Sequence, residues 1–317
     1  MAAPVFLKYY VRKKYSLIDD VPPDYNALKG RRDVMAHSIA NTIYSYTGIF
    51  LFTILTNAST ISVYIVYSLV FNSLKKIQNI FTVGLEAVLG EHWARNDLRA
   101  FNGIFDKIEF FIFLLTSIII SSTITLIIPF VCLYTKGIND VNYIIPEYAF
   151  LATVAEAFFC VRTPYLIAVQ AAGKYKETRN GAFYESGLNL LVSIIGIVKY
   201  GILGIALGNI VANLFRTFQY VCFLSNNMLN RRITVFAKKL SWMSFNIFVV
   251  EKTVYCFILD GIRITDWKDW MFYATFITIC GFVITNLSAI VFYRKNYIDI
   301  MSYIFNKYKT RLQKNNK

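Results

Sequence analysis

Three apolar stretches between Tyr148 and Leu224 constrain this chain more than any other feature. They run about Tyr148–Ala172, Ala182–Val198 and Ile202–Leu224, joined by the basic turn GKYKETRN and the tight turn KYG. Crossing a hydrocarbon layer takes ~20 residues of helix, and each stretch is long enough. Each also carries groups that a lipid-facing helix excludes: Arg162 with Pro164, Glu185 with Asn189, and Arg216. Ionisable groups inside spans are costly and face a protein interior or a wet path. These helices therefore belong to the inside of a machine rather than to an anchor.

Five further apolar blocks cover about Val34–Thr56, Ile61–Val88, Ile108–Leu133, Trp242–Leu259 and Trp270–Tyr293. The fold class is all-α: a polytopic helical membrane protein with eight transmembrane helices. Pro129 is expected to kink the far end of the third. The chain divides into a basic cytosolic segment at 1–33, a six-helix lobe at 34–224 and a basic cytosolic linker at 225–239. Two extra helices at 240–293 and a basic amphipathic tail at 294–317 complete it. The net charge is +14, and most bases sit in short segments between apolar blocks. The positive-inside rule accounts for that placement without nucleic acid as a partner, and puts both termini in the cytosol. The tail's alternation of apolar and basic residues suits the anionic lipids of an inner leaflet. MAAPVFLKYYVRKKY has too short an apolar core for a cleavable signal peptide and reads as the last turn of a helix.

The five cysteines lie in or beside apolar blocks without CxxC spacing, and His37 and His92 are far apart. No metal or cofactor is expected. HExxH, GxSxG and a glycine-rich phosphate loop are all absent, so no catalytic residue is assigned.

Polar residues recur at helical spacing within the spans. The first carries His37, Asn41 and Tyr44, and the second Tyr64, Ser68, Asn72, Lys75 and Asn79. The sixth carries Asn209, Asn213, Arg216 and Tyr220, beside a separate small-residue row of Gly204, Gly208 and Ala212 suited to close packing. Either the stripes face one hydrated cavity, or their amides and hydroxyls bond between neighbouring helices. Lys75, Arg162 and Arg216 each fall 14 residues into an outside-to-inside span, ~21 Å deep at the helical rise. A ring of three bases there would hold a di-anionic phosphate group; alternatively each base snorkels to the interface, as Lys76 is placed to do. Glu156 and Glu185 are candidates for ion coupling or for neutralising nearby bases. Pro164 frees the Cys160 carbonyl beside Arg162.

The run VRTPYLIAVQAAGKYKETRNGAFYESGLNLLVSIIGIVKYGILGIALGNIVANLFRTFQY resembles the Wzx-like flippases of lipid-linked oligosaccharides in bacterial polysaccharide assembly. That family lies in the superfamily of the MATE exporters and the lipid II flippase. R-x-P before GKYKET, an acidic residue with Asn in the next helix, and G-x-x-G-x-A-x-G before an Arg carry the likeness, which extends over about Lys14–Arg294. It implies the second lobe of a MOP-type transporter plus two extra helices in a bacterial inner membrane. The implied substrate is an undecaprenyl-diphosphate-linked oligosaccharide for surface polysaccharide or O-antigen, with Arg162, Arg216 and Lys75 at the diphosphate. A first lobe would come from a longer form of the chain or from a second chain. A cation-coupled MATE-like exporter, a membrane-embedded transferase and a non-transporting component are the other readings.

Overall fold

The computed structural model describes residues 9, 10, 14, 30–258, 264–299 and 301–302. Most of the basic segment expected at 1–33 and most of the tail expected at 294–317 therefore lie outside the described residues. Each of the eight expected spans falls on a long helix: α1 Arg31–Leu55, α2 Ala58–Thr82, α4 Leu98–Tyr134, α5 Pro146–Ala171, α6 Tyr175–Tyr200, α7 Leu203–Leu224, α8 Thr234–Ile258 and α9 Trp267–Phe292. A shorter helix, α3, covers Leu85–Ala94. No strand occurs among the described residues. Five helices (α1, α4, α5, α6 and α9) are both long and apolar enough to cross a membrane. The polar stripes of α2 and α7 dilute helices of similar length.

Four boundaries differ from the expected ones. α6 starts at Tyr175 rather than about Ala182, and α8 starts at Thr234 rather than about Trp242, inside the linker expected at 225–239. Two more differ for local reasons. The second span was expected to run to Val88, but the helix stops at Thr82, and Gly84 turns the chain with φ at 86°. Positive φ costs a glycine little, so the chain redirects there and restarts as α3. At the other boundary, the Asp97 side chain accepts the Ala100 N–H at 3.0 Å and caps α4 ten residues before the expected start of the third span. α4 then continues through Pro129 to Tyr134.

The helices alternate in direction. Contacts between Asp33 and Arg179, and between Arg231 and Asp106, gather the starts of α1, α4 and α6 with the linker before α8 at one end, the basic end. At the opposite end the Tyr67 hydroxyl donates to the Tyr143 carbonyl at 3.0 Å and accepts the Ile145 N–H at 3.0 Å, tying α2 to the loop before α5. The small-residue row packs α7 on α6. A methyl group at Gly204 would lie 2.1 Å from the Gly196 carbonyl carbon, so only glycine permits that backbone approach. One apolar cluster around Phe52, Tyr67, Val131 and Tyr148 fills the opposite end, and another around Leu89, Phe105, Tyr165 and Leu224 fills the basic end. α8 and α9 dock on α4 through Phe110, Phe113, Trp242 and Ala289, with Leu126, Val250 and Ile277 further along.

Candidate functional site

Polar side chains of four helices converge on a cavity of about 450 Å³ within the lobe. α1 supplies Asn41, Tyr44 and Ser45, α2 supplies Tyr64, Ser68, Asn72 and Lys75, α5 supplies Glu156 and Phe159, and α7 supplies Asn209. Amides and hydroxyls at membrane depth need protein or water as partners, and part of this lining is fixed by protein. Asn189 Nδ2 donates to Asn209 Oδ1 at 2.8 Å, and the Tyr44 hydroxyl donates to Asn213 Oδ1 at 3.1 Å. Asn213 Nδ2 in turn donates to the Ala155 carbonyl at 2.9 Å.

The charges form one connected set. Lys75 Nζ lies 3.0 Å from Glu156 Oε1 on the cavity wall. The second Glu156 oxygen is buried and lacks a hydrogen bond. Lys75 Nζ and the Arg162 guanidinium carbon each lie 4.7 Å from the centre of the Phe159 ring, a cation–π arrangement for both. Arg162 then pairs with Glu185, and Glu185 Oε2 also meets Arg216 Nε at 3.3 Å. Arg216 places its other donors on the Thr178 carbonyl at 2.9 Å, Gln219 Oε1 at 2.5 Å and the Tyr220 hydroxyl at 2.6 Å. His37 completes this group. Its Nε2 lies 3.0 Å from the Tyr175 carbonyl and its Nδ1 3.4 Å from Arg216 Nη2. A proton on Nε2 satisfies both contacts and leaves Nδ1 as the acceptor.

The sequence-derived residues thus separate into two layers. Asn41, Tyr64, Asn72, Lys75, Glu156 and Asn209 line the cavity. His37, Arg162, Glu185, Asn213 and Arg216 are held in the packed layer between α1, α5, α6 and α7. The three bases do share a neighbourhood, but only Lys75 reaches the cavity, because Arg162 and Arg216 are 5% and 2% exposed and paired to Glu185. A buried guanidinium takes the nearest carboxylate, since leaving either charge alone costs more than the pair.

A second cavity of about 630 Å³ lies toward the basic end, lined by Lys76, Asn79, Thr82, Glu86, Thr163 and Gln170 among others. Lys75 and Phe159 line both cavities, so this contact stands between them. The carbonyl freed by Pro164 is taken from outside the helix: Gln78 Nε2 of α2 donates to Cys160 O at 2.9 Å.

Sequence reasoning passed over Glu109, the most buried carboxylate. It accepts from the Tyr165 hydroxyl, from Arg231 Nη2 at 2.6 Å and Nη1 at 2.8 Å, and from Lys239 Nζ at 2.5 Å. The available signal was a carboxylate just inside an apolar block, with a base-rich linker elsewhere to answer it. Among the described residues no group of His, Cys, Asp and Glu could hold a metal ion.

The helical architecture and its polar interior define a polytopic helical membrane protein. No protein-family model matches the chain, and no curated protein sequence does. Among solved structures, the lipid II flippase MurJ in its inward closed conformation matches with a TM-score of 0.60 and 19% identity, over 83% of this chain and 52% of that one. The chain therefore shares the fold of that structure and spans about half the length of that protein.

Proposed function

We propose that the chain forms one lobe, the second, of a flippase in a bacterial inner membrane. Its substrate is an undecaprenyl-diphosphate-linked oligosaccharide carried outward for surface polysaccharide or O-antigen assembly. The observation that carries this reading is the polar cavity, where amides and phenols suited to sugar hydroxyls stand beside Lys75. An ammonium that shares its carboxylate with no other base can exchange Glu156 for a phosphate oxygen. Alternating access needs a second lobe opposite this one, supplied by further sequence or by another chain.

The test is translocation of a labelled lipid-linked oligosaccharide in proteoliposomes holding this chain together with its completing lobe. Lys75→Gln is expected to abolish translocation while insertion and helicity stay normal. Unchanged translocation in that variant would end the assignment of Lys75 to the diphosphate. The unpartnered Glu156 oxygen favours a second reading, a cation-coupled exporter, which predicts sodium- or proton-dependent efflux of cationic solutes instead.

A further inference from the structure

The linker between α7 and α8 builds a site that transport through the central cavity does not use. α7 ends in a π-helical turn, Ser225–Leu229, and Asn230 follows in the left-handed conformation with φ at 48°. The Arg231 N–H then bonds back to the Ser225 carbonyl at 3.1 Å, closing the turn on itself. A cavity of about 560 Å³ results, lined by Ser225, Asn226, Asn230, Arg231, Arg232 and Thr234 together with Ile233.

Several features of this lining call for an anion. Ser225 is 1% exposed, and its hydroxyl has no hydrogen-bond partner. Arg231 Nε is likewise buried without a partner, although its terminal nitrogens are held by Asp106, Glu109 and Tyr165. Arg232 is exposed and forms no ion pair among the described residues. α8 starts at Thr234 in the same wall, adding the positive end of a helix dipole. The lining contains no carboxylate, and the nearby Asp106 is already paired with Arg231 at 2.8 Å.

We propose that this linker cavity binds a phosphate group, with Arg232, the Ser225 hydroxyl and the start of α8 as its donors. The site lies between two long helices of the bundle, at its basic end. Basic pockets between membrane helices at a membrane surface take anionic headgroups. Arg231 acts differently, tying the linker to Glu109 and holding the cradle in shape.

The experiment places the full chain in nanodiscs of phosphatidylcholine containing a minor share of phosphatidylglycerol. Lipid retained after exchange into mild detergent is identified by native mass spectrometry. Phosphatidylglycerol should be enriched over phosphatidylcholine. Arg232→Gln and Ser225→Ala should each lower the enrichment, the first by about tenfold, the loss of one charge-assisted contact. Lys76→Gln, which removes an exposed base in another cavity, should leave it unchanged. Ser225→Ala deletes only a hydroxyl, so it tests the cradle without disturbing the Glu109 cluster. Inorganic phosphate is the second probe. Phosphate-31 line broadening that needs Arg232, without phosphatidylglycerol enrichment, would assign the site to free phosphate. Equal retention of both lipids with no phosphate broadening, or binding indifferent to both variants, overturns the proposal.

Discussion

Glu185 holds two buried guanidiniums at once, so its removal is the most informative single change in the bundle. In Glu185→Leu, Arg162 loses its one hydrogen-bond partner among the described residues and keeps the face of Phe159. Arg216 loses a 3.3 Å contact but retains three other acceptors. Breaking a buried pair from one side costs ~3–5 kcal/mol, a large fraction of the ~5–15 kcal/mol that holds a typical protein folded. The opposite change should be milder. Arg162→Met leaves Glu185 still paired with Arg216, so ~1–2 kcal/mol is expected. The double variant Arg162→Met/Glu185→Leu replaces the pair by apolar side chains and should recover most of the loss, with a coupling of at least ~2 kcal/mol. The measurement is reversible unfolding in mixed micelles, titrated with dodecyl sulfate and followed by helical circular dichroism. A Glu185→Leu cost no larger than that of Arg162→Met, or a double variant as unstable as the sum of the singles, would refute the shared-carboxylate account.

Three further outcomes follow from contacts elsewhere. Tyr67→Phe removes a donor to the Tyr143 carbonyl and an acceptor for the Ile145 N–H; it should cost ~1–3 kcal/mol and speed proteolysis of the loop between α4 and α5. Gly204→Ala should destabilise the protein more than Gly208→Ala in the same unfolding assay. The first methyl meets Gly196 backbone at 2.1 Å, while the nearest atom to the second is the Ser193 hydroxyl at 2.0 Å, which can rotate away. Arg231→Gln strips two bonds from fully buried Glu109, which keeps Lys239 and Tyr165 as partners, so α8 and α9 should exchange amide hydrogen faster than α5, with a loss of ~1–3 kcal/mol.

Much of this architecture was legible because the bilayer sets a length and the helix a period. Apolar blocks located the long helices, and the i, i+4, i+7 rule put Asn41, Tyr64, Asn72, Lys75 and Asn209 on polar faces of their helices; that these faces meet at one cavity is visible only in the structure. The same rule put Arg162 and Arg216 on polar stripes but could not say which neighbour would meet them. Periodicity fixes direction around one helix and carries nothing about the azimuth of the next. Glu185 was visible as an intramembrane acid; that it bridges both arginines depends on how α6 lies between α5 and α7. Likewise the cue in TVGLE was one glycine inside an apolar run, and the turn at Gly84 became apparent only once its positive φ was seen. Pro164 behaved as local chemistry demanded, freeing a carbonyl, yet the donor that claims it, Gln78, is 82 residues away from Cys160.

Among the described residues, the pairings of Glu109, Glu156 and Glu185 differ in a way that bears on the proposed cycle. Glu109 is fully enclosed, and Glu185 sits among side chains 2% to 10% exposed. The Lys75–Glu156 pair is more open, with the lysine side chain 32% exposed. Separating an enclosed pair strands charges in a low dielectric, which makes those two clusters fixed struts. Separating a pair that already touches a cavity costs far less, because water or an incoming phosphate replaces the lost partner. Lys75 also stands with Phe159 between the two cavities. Of the three pairings this is the least costly to separate, and its lysine lines both cavities. A substrate phosphate drawing Lys75 off Glu156 would supply the differential affinity that a ligand-driven change requires.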